Sequence, residues 1–136
     1  GVVKPQSKPT ELIQNIDYAP TFLEMAGIAS PAEVQGNSLV PIMNGTVKNW
    51  RESLYYAYYE FGEHAVPQHF GVRSMTHKLF FFPASNEWNM FDLTNDPQEM
   101  VNVYNNPKYK RVQASLEQEF NRLRVQYDAP PLPIKK

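Results

Sequence analysis

Apolar residues recur at spacings of three and four near the C-terminal end of the chain. Tyr109, Val112, Leu116, Phe120, Leu123 and Tyr127 fall on one side, with lysine, arginine and glutamate on the other. This periodicity predicts an amphipathic helix over 107–127, ended by Asp128-Ala129-Pro130-Pro131-Leu132-Pro133. A shorter version of the pattern lies near the start, where Ala19, Phe22, Leu23 and Ala26 follow i, i+3, i+4, i+7. It predicts a helix over 17–27, with Asp17 as N-cap, Pro20 within the first turn and Gly27 as the stop.

Between the two helices the period changes. Turn signals at Ser30-Pro31, Gln35-Gly36-Asn37 and Asn44-Gly45 mark residues 28–50 as mostly irregular, with one helical turn over Ser38–Met43. From Ser53 the chain becomes aromatic and extended. Leu54–Glu60, His69–Met75, His77–Pro83 and Glu87–Leu93 read as four strands of an antiparallel meander, the middle two joined by a tight hairpin. The last strand runs into Asp96-Pro97-Gln98-Glu99, which has the layout of a capped helix start. The predicted class is α+β: a helical lead-in, then a four-stranded antiparallel sheet with the long C-terminal helix packed on one face.

Composition narrows the function. The 136 residues suit one domain or a piece of a larger protein, and 42% hydrophobic with 20% charged residues describes a folded chain. A net charge of −1 argues against nucleic-acid binding. No run of about 18 apolar residues predicts a membrane span, and the first residues lack the layout of a signal peptide. The absence of cysteine excludes disulfides and thiolate metal sites from the chain and leaves its compartment undetermined.

Motifs for nucleophilic or nucleotide chemistry are missing: there is no Gly-x-Ser-x-Gly elbow, Walker A loop or His-Glu-x-x-His. His64, His69 and His77 are irregularly spaced; two of them meeting across a hairpin would still fall short of the three or four ligands that metal sites need. Asp17, Asp96 and Glu99 sit where orphan backbone donors need acceptors, so they read as caps. The stretch Glu60–His69 joins two strands and carries Gly62 with several groups able to bond a sugar hydroxyl; it is either a binding loop or an ordinary exposed connection. Arg73 is placed either to bind an anion or to pair with a carboxylate on the sheet. In the tyrosine run at 55–59, strand alternation allows at most half of the rings to line one site.

Several segments, in order, resemble the C-terminal end of the type I, formylglycine-dependent sulfatases of the alkaline phosphatase superfamily. They are Asn15-Ile16-Asp17-Tyr18-Ala19-Pro20-Thr21-Phe22-Leu23-Glu24-Met25-Ala26-Gly27-Ile28, Gln35-Gly36-Asn37-Ser38-Leu39, Trp50-Arg51, His69-Phe70-Gly71-Val72-Arg73 with Lys78-Leu79, and Glu87–Asn102. The likeness runs from Gly1 to about Tyr127 and is nearest to members acting on 6-O-sulfated N-acetylglucosamine in glycosaminoglycans or mucins. It implies that residues 1–50 are the tail of a catalytic domain and 51–136 a C-terminal subdomain.

The resemblance also has gaps. The family's nucleophile lies in Cys/Ser-x-Pro-x-Arg; here the nearest string, Ser7-Lys8-Pro9-Thr10-Glu11, lacks the arginine, and the family's calcium and sulfate ligands lie upstream of the matched segments. The resemblance therefore implies an inactive C-terminal fragment of an enzyme whose missing N-terminal catalytic domain supplies calcium and formylglycine. The parent would be periplasmic or secreted and would take a sulfated carbohydrate. Within the family a histidine just before the Tyr/Phe-Gly-Val/Ile-Arg strand contacts the sugar, which implies His69 as a substrate residue, with His64 and Glu60 as weaker candidates. A stand-alone sugar-binding or scaffold module and the tail of a phosphoesterase or phosphonate hydrolase are the alternatives. If the catalytic domain is missing, Ala19, Phe22, Leu23 and Ala26 should form an exposed apolar stripe, or one buried by self-association.

Overall fold

The structure, a computed structural model, describes residues 3–60 and 65–133. It divides into two compact units, Gly1–Glu52 and Ser53–Lys136.

In the first unit, a single 3-10 turn at Asn15–Asp17 leads into helix α1, Tyr18–Met25, and a one-turn helix α2, Val40–Met43, follows the long connection. Helix α1 ends because Gly27 takes a left-handed conformation, φ 71°. There the Ile28 N–H bonds the Leu23 carbonyl at 2.9 Å and the Gly27 N–H bonds Glu24 at 3.0 Å, the Schellman pattern that only a residue tolerant of positive φ supports. Asp17, expected as the N-cap of this helix, makes no cap bond to it. Its carboxylate instead reaches back to the Gln14 N–H at 2.7 Å, across to the Asn37 N–H at 2.9 Å, and to both terminal nitrogens of Arg51 at 2.5 and 2.7 Å. The correction has a physical reason: a buried carboxylate needs several donors, and partners distant in sequence offered more than the helix start did. Gly36 lies where a Cβ would come within 1.9 Å of the Ile16 carbonyl oxygen, so only glycine lets the 35–38 loop close over this carboxylate.

Of the predicted apolar stripe, Ala19, Phe22 and Ala26 are exposed and Leu23 is half-buried, and the larger exposed apolar side chains continue it on one side. Tyr18, Phe22, Met25 and Ile28 are 50, 65, 63 and 57% exposed. Pro20 and Thr21 face inward, where the Thr21 hydroxyl donates to the Asp17 carbonyl and accepts from the Leu39 N–H at 2.8 Å.

The second unit holds an antiparallel sheet in the order β1-β2-β3-β4, formed by Ser53–Tyr58, His69–Ser74, His77–Phe82 and Glu87–Asp92. A 3-10 turn at Pro107–Tyr109 then opens helix α3, Lys110–Gln126. The β2–β3 hairpin is closed by Ser74, whose hydroxyl accepts from the His77 N–H at 3.0 Å and donates to the His77 carbonyl at 3.2 Å. Asn86, at φ 53°, turns the chain between β3 and β4, a conformation asparagine tolerates better than most residues.

Strand alternation sends Phe70, Val72, Leu79 and Met90 to one face, where they pack with Val103 and with Leu116, Phe120 and Leu123 of α3. Tyr109, Val112 and Tyr127 border the same core, so the whole predicted stripe of α3 is used.

One expected element is absent. Asp96–Glu99 forms a turn and starts no helix: Glu99 sits at φ 55°, outside the right-handed region, and its carboxylate pairs with Lys78 at 2.7 Å. Asp96 accepts from the Val101 N–H at 2.8 Å, and Asn102 accepts from the Met90 and Tyr104 N–H groups at 3.0 and 2.9 Å. The Asp96 carboxylate that would cap a helix is thus taken by Val101, and Asn102 stitches the connection back onto β4.

Candidate functional site

The face of the sheet opposite α3 gathers the residues most able to bind a ligand. Register places Tyr58 opposite His69, Tyr56 opposite Gly71, and Gly71 opposite Phe80. Period-two alternation therefore brings Tyr56, Tyr58, His69, Phe80 and Phe82 together on one surface. The imidazole of His69 stacks on Tyr58 with ring centroids 5.4 Å apart, and it meets Tyr56 edge-on at 5.8 Å. Phe80 at 6.2 Å and Phe82 at 5.7 Å border its other sides. Its Nδ1 lies 2.9 Å from the Pro67 carbonyl oxygen. A carbonyl only accepts, so Nδ1 carries the proton, and Nε2 is left without a hydrogen-bond partner among the described residues.

Gly71 makes this packing possible. A Cβ there would stand 2.5 Å from the Tyr56 ring carbon Cζ and hydroxyl and 2.6 Å from the Leu79 carbonyl oxygen. The Tyr56 hydroxyl is buried with no hydrogen-bond partner among the described residues. Burial first, then the Glu99 charge, push its pKa upward against a smaller opposing effect of Arg73, so this phenol keeps its proton.

Of the other predicted residues, Glu60 follows β1, and its carboxylate accepts from the Tyr58 hydroxyl at 3.0 Å. His64 lies outside the described residues. Arg73 shares the face with His69, is exposed, and makes no ion pair among the described residues. The tyrosine run splits as alternation requires, since Tyr55 stacks into the core against Phe120 at 5.8 Å and Tyr127 at 6.4 Å.

His77 and His69 do not meet. They begin successive antiparallel strands at opposite ends of the hairpin, and His77 belongs to a separate cluster. Its Nε2 is 3.9 Å from the Asp92 carboxylate, and its ring sits edge-on to Tyr109 at 6.1 Å. Asp92 is the acidic residue that sequence reasoning missed. It accepts from the Asn95 side chain at 2.8 Å, the Asn95 and Thr94 N–H groups at 3.1 and 3.0 Å, and the Tyr109 hydroxyl at 3.0 Å. The Asn95 bonds lead in holding its pKa down to about 2. An aspartate ending a strand just before a Thr-Asn turn was the available signal. These contacts make it a structural anchor of the connection to α3.

The comparisons agree with this architecture. The family described as N-sulphoglucosamine sulphohydrolase, C-terminal, matches residues 1–126, and the chain belongs to that family. An N-acetylglucosamine-6-O-sulfatase of Bacteroides thetaiotaomicron is 38% identical over 130 residues, which is 92% of this chain and 23% of that protein. The solved structure of BT4656 in complex with its substrate D-glucosamine-2-N,6-O-disulfate superposes with a TM-score of 0.90 at 38% identity, covering 96% of this chain and 28% of that one. BT1596, a 2-O GAG sulfatase, superposes at 0.81 with 26% identity, covering 95% of this chain and 29% of that one. The chain thus spans about a quarter of the length of the relatives it matches.

Proposed function

We propose that this chain is the C-terminal part of a carbohydrate sulfatase acting on 6-O-sulfated N-acetylglucosamine in glycosaminoglycans or mucins. The observation that carries the reading is the 38% identity to an N-acetylglucosamine-6-O-sulfatase across nearly the whole chain. In this reading residues 1–50 close the catalytic domain and 51–136 form a subdomain whose aromatic sheet face walls the substrate pocket. His69 contacts the sugar, with Glu60 and His64 in supporting positions. The exposed stripe at Tyr18, Phe22, Met25 and Ile28 is the surface that the rest of the enzyme covers.

The parent's calcium and formylglycine are assigned to that preceding domain. This chain carries no Cys/Ser-x-Pro-x-Arg string to mature into formylglycine, and among the described residues no three His, Cys, Asp or Glu side chains gather into a metal site. The parent is placed in the periplasm or outside the cell, which fractionation would test.

Sulfate release by the full-length enzyme from a panel of sulfated monosaccharides tests the assignment. Turnover of 6-O-sulfated N-acetylglucosamine is expected, and His69→Ala is expected to lower kcat/KM about tenfold or more, the worth of a lost hydrogen bond in a desolvated site. Unchanged kcat/KM across the panel would remove His69 from the pocket.

A further inference from the structure

The β2–β3 hairpin end of the sheet carries one positive charge more than its neighbours balance. Register sets Arg73 of β2 directly opposite Lys78 of β3, on the face turned away from α3. Like charges directly opposite one another destabilise an antiparallel pair. Lys78 has its counter-charge, because the Glu99 carboxylate reaches it at 2.7 Å from a backbone held at φ 55°. Arg73 is exposed and has no counter-charge among the described residues. Apolar side chains stand open at the same end. Met75, two residues after Arg73 at the hairpin tip, is 54% exposed, and Met100, next to Glu99, is 79% exposed. Leu54, the cross-strand partner of Arg73 on β1, is half-buried. An unpaired arginine among exposed methionines has the composition of an interface centre, where both residue types are enriched.

We infer that this hairpin end is a docking surface for the catalytic domain that precedes the chain in its parent, and that Arg73 receives the carboxylate of an acidic side chain from that domain. This rests on the reading that the chain is the C-terminal part of a longer enzyme. The matched part is about a quarter of each relative, which leaves most of the enzyme to supply the occupant. A resident carboxylate fits better than an anionic group of the substrate. The repulsion between Arg73 and Lys78 is present whether or not substrate is bound, so it calls for a neutralising group that does not leave with product. A contact closed by the two methionines also excludes water, which strengthens a guanidinium–carboxylate pair.

The test is a carbodiimide cross-link in the full-length enzyme carrying Arg73→Lys. The reagent joins an amine to a carboxylate in contact with it, and mass spectrometry after digestion locates the amide. The Lys78–Glu99 amide should form in the same sample and shows that the reagent reaches this face. The expected second product joins position 73 to an aspartate or glutamate N-terminal to Gly1. Three results overturn the inference: a product at 73 with Glu99 alone, a product only between copies in a mixture of 14N and 15N enzyme, or no product at 73 beside the Lys78–Glu99 amide.

Charge reversal is an independent measurement. Arg73→Glu should speed native-state proteolysis between the two parts about tenfold or more, while Arg73→Lys should stay near the rate of the unsubstituted enzyme. An unchanged rate in Arg73→Glu removes the docking role. Kinetics separate the substrate as occupant. Arg73→Ala should act alike on 6-O-sulfated N-acetylglucosamine and on D-glucosamine-2-N,6-O-disulfate; a KM rise confined to the disulfate, with proteolysis unchanged, gives Arg73 to the substrate instead. Cross-linking and proteolysis need no turnover. An enzyme that forms the expected cross-link yet releases no sulfate from any sugar overturns the sulfatase assignment and leaves the docking surface standing.

Discussion

Asp17 and Asp92 show how far a single residue can be read. Asp17 accepts one local backbone donor, but most of its partners come from elsewhere. Asp92 is held first by Asn95 and Thr94, with Tyr109 as its one distant hydrogen-bond partner among the described residues. The distant partners of Asp17 are Asn37 and Arg51, 20 and 34 residues away. Burial alone would raise the Asp17 pKa; the Arg51 bonds and the Asn37 and Gln14 amides outweigh it and hold the carboxyl below its ordinary range. Removing Arg51 strands a buried charge. Arg51→Met should therefore cost about 3–5 kcal/mol in urea denaturation, while Asp17→Asn combined with Arg51→Met should recover part of that loss.

For Asp92 the test is pH. Its carboxyl lies at about 2 when folded, below the ordinary aspartate value of 3.8, so the unfolded chain binds the proton more readily. Its stabilisation is complete above about pH 4 and is lost as pH falls toward about 2. Urea midpoints measured at stepped pH should decline through that window. Asp92→Asn should flatten the decline and lower the midpoint at neutral pH; an unchanged slope would assign the acid transition to other carboxylates.

At the scale of elements, hydrophobic period carried most of the prediction. The six stripe residues of α3 all reach the core, and all four strands lie within two residues of their expected limits. The connection at 96–99 departed from its local signal because a turn can satisfy the same donors as a helix start. Gly71 belongs to this scale as well, because its missing Cβ lets the Tyr56 ring lie flat across β2. Gly71→Ala should destabilise the sheet unit by about 1–3 kcal/mol, the usual cost of overpacking. Tyr56→Phe should not rescue it, because the ring carbon and the Leu79 carbonyl remain in the way. Thermal denaturation of both variants checks this.

For the molecule as a whole, the exposed residues of α1 are the clearest sign of a larger context. Tyr18 and Phe22 stack on each other with centroids 6.5 Å apart on the helix surface. An isolated chain with this stripe should self-associate, and Phe22→Ser with Met25→Ser should shift sedimentation toward the monomer. A chain already monomeric at high concentration would count against the stripe as an interface.

The sequence by itself determined the α+β class, the order of the strands, the long C-terminal helix and the family, because periodicity and turn chemistry act between residues close along the chain. It also pointed to His69, but only through the resemblance. Only the tertiary structure decided what surrounds that ring, which nitrogen is left to bind, which distant partners hold Asp17, and that Tyr109 joins the local bonds of Asp92. Those depend on strand register and loop closure, which bring together residues that no local pattern links.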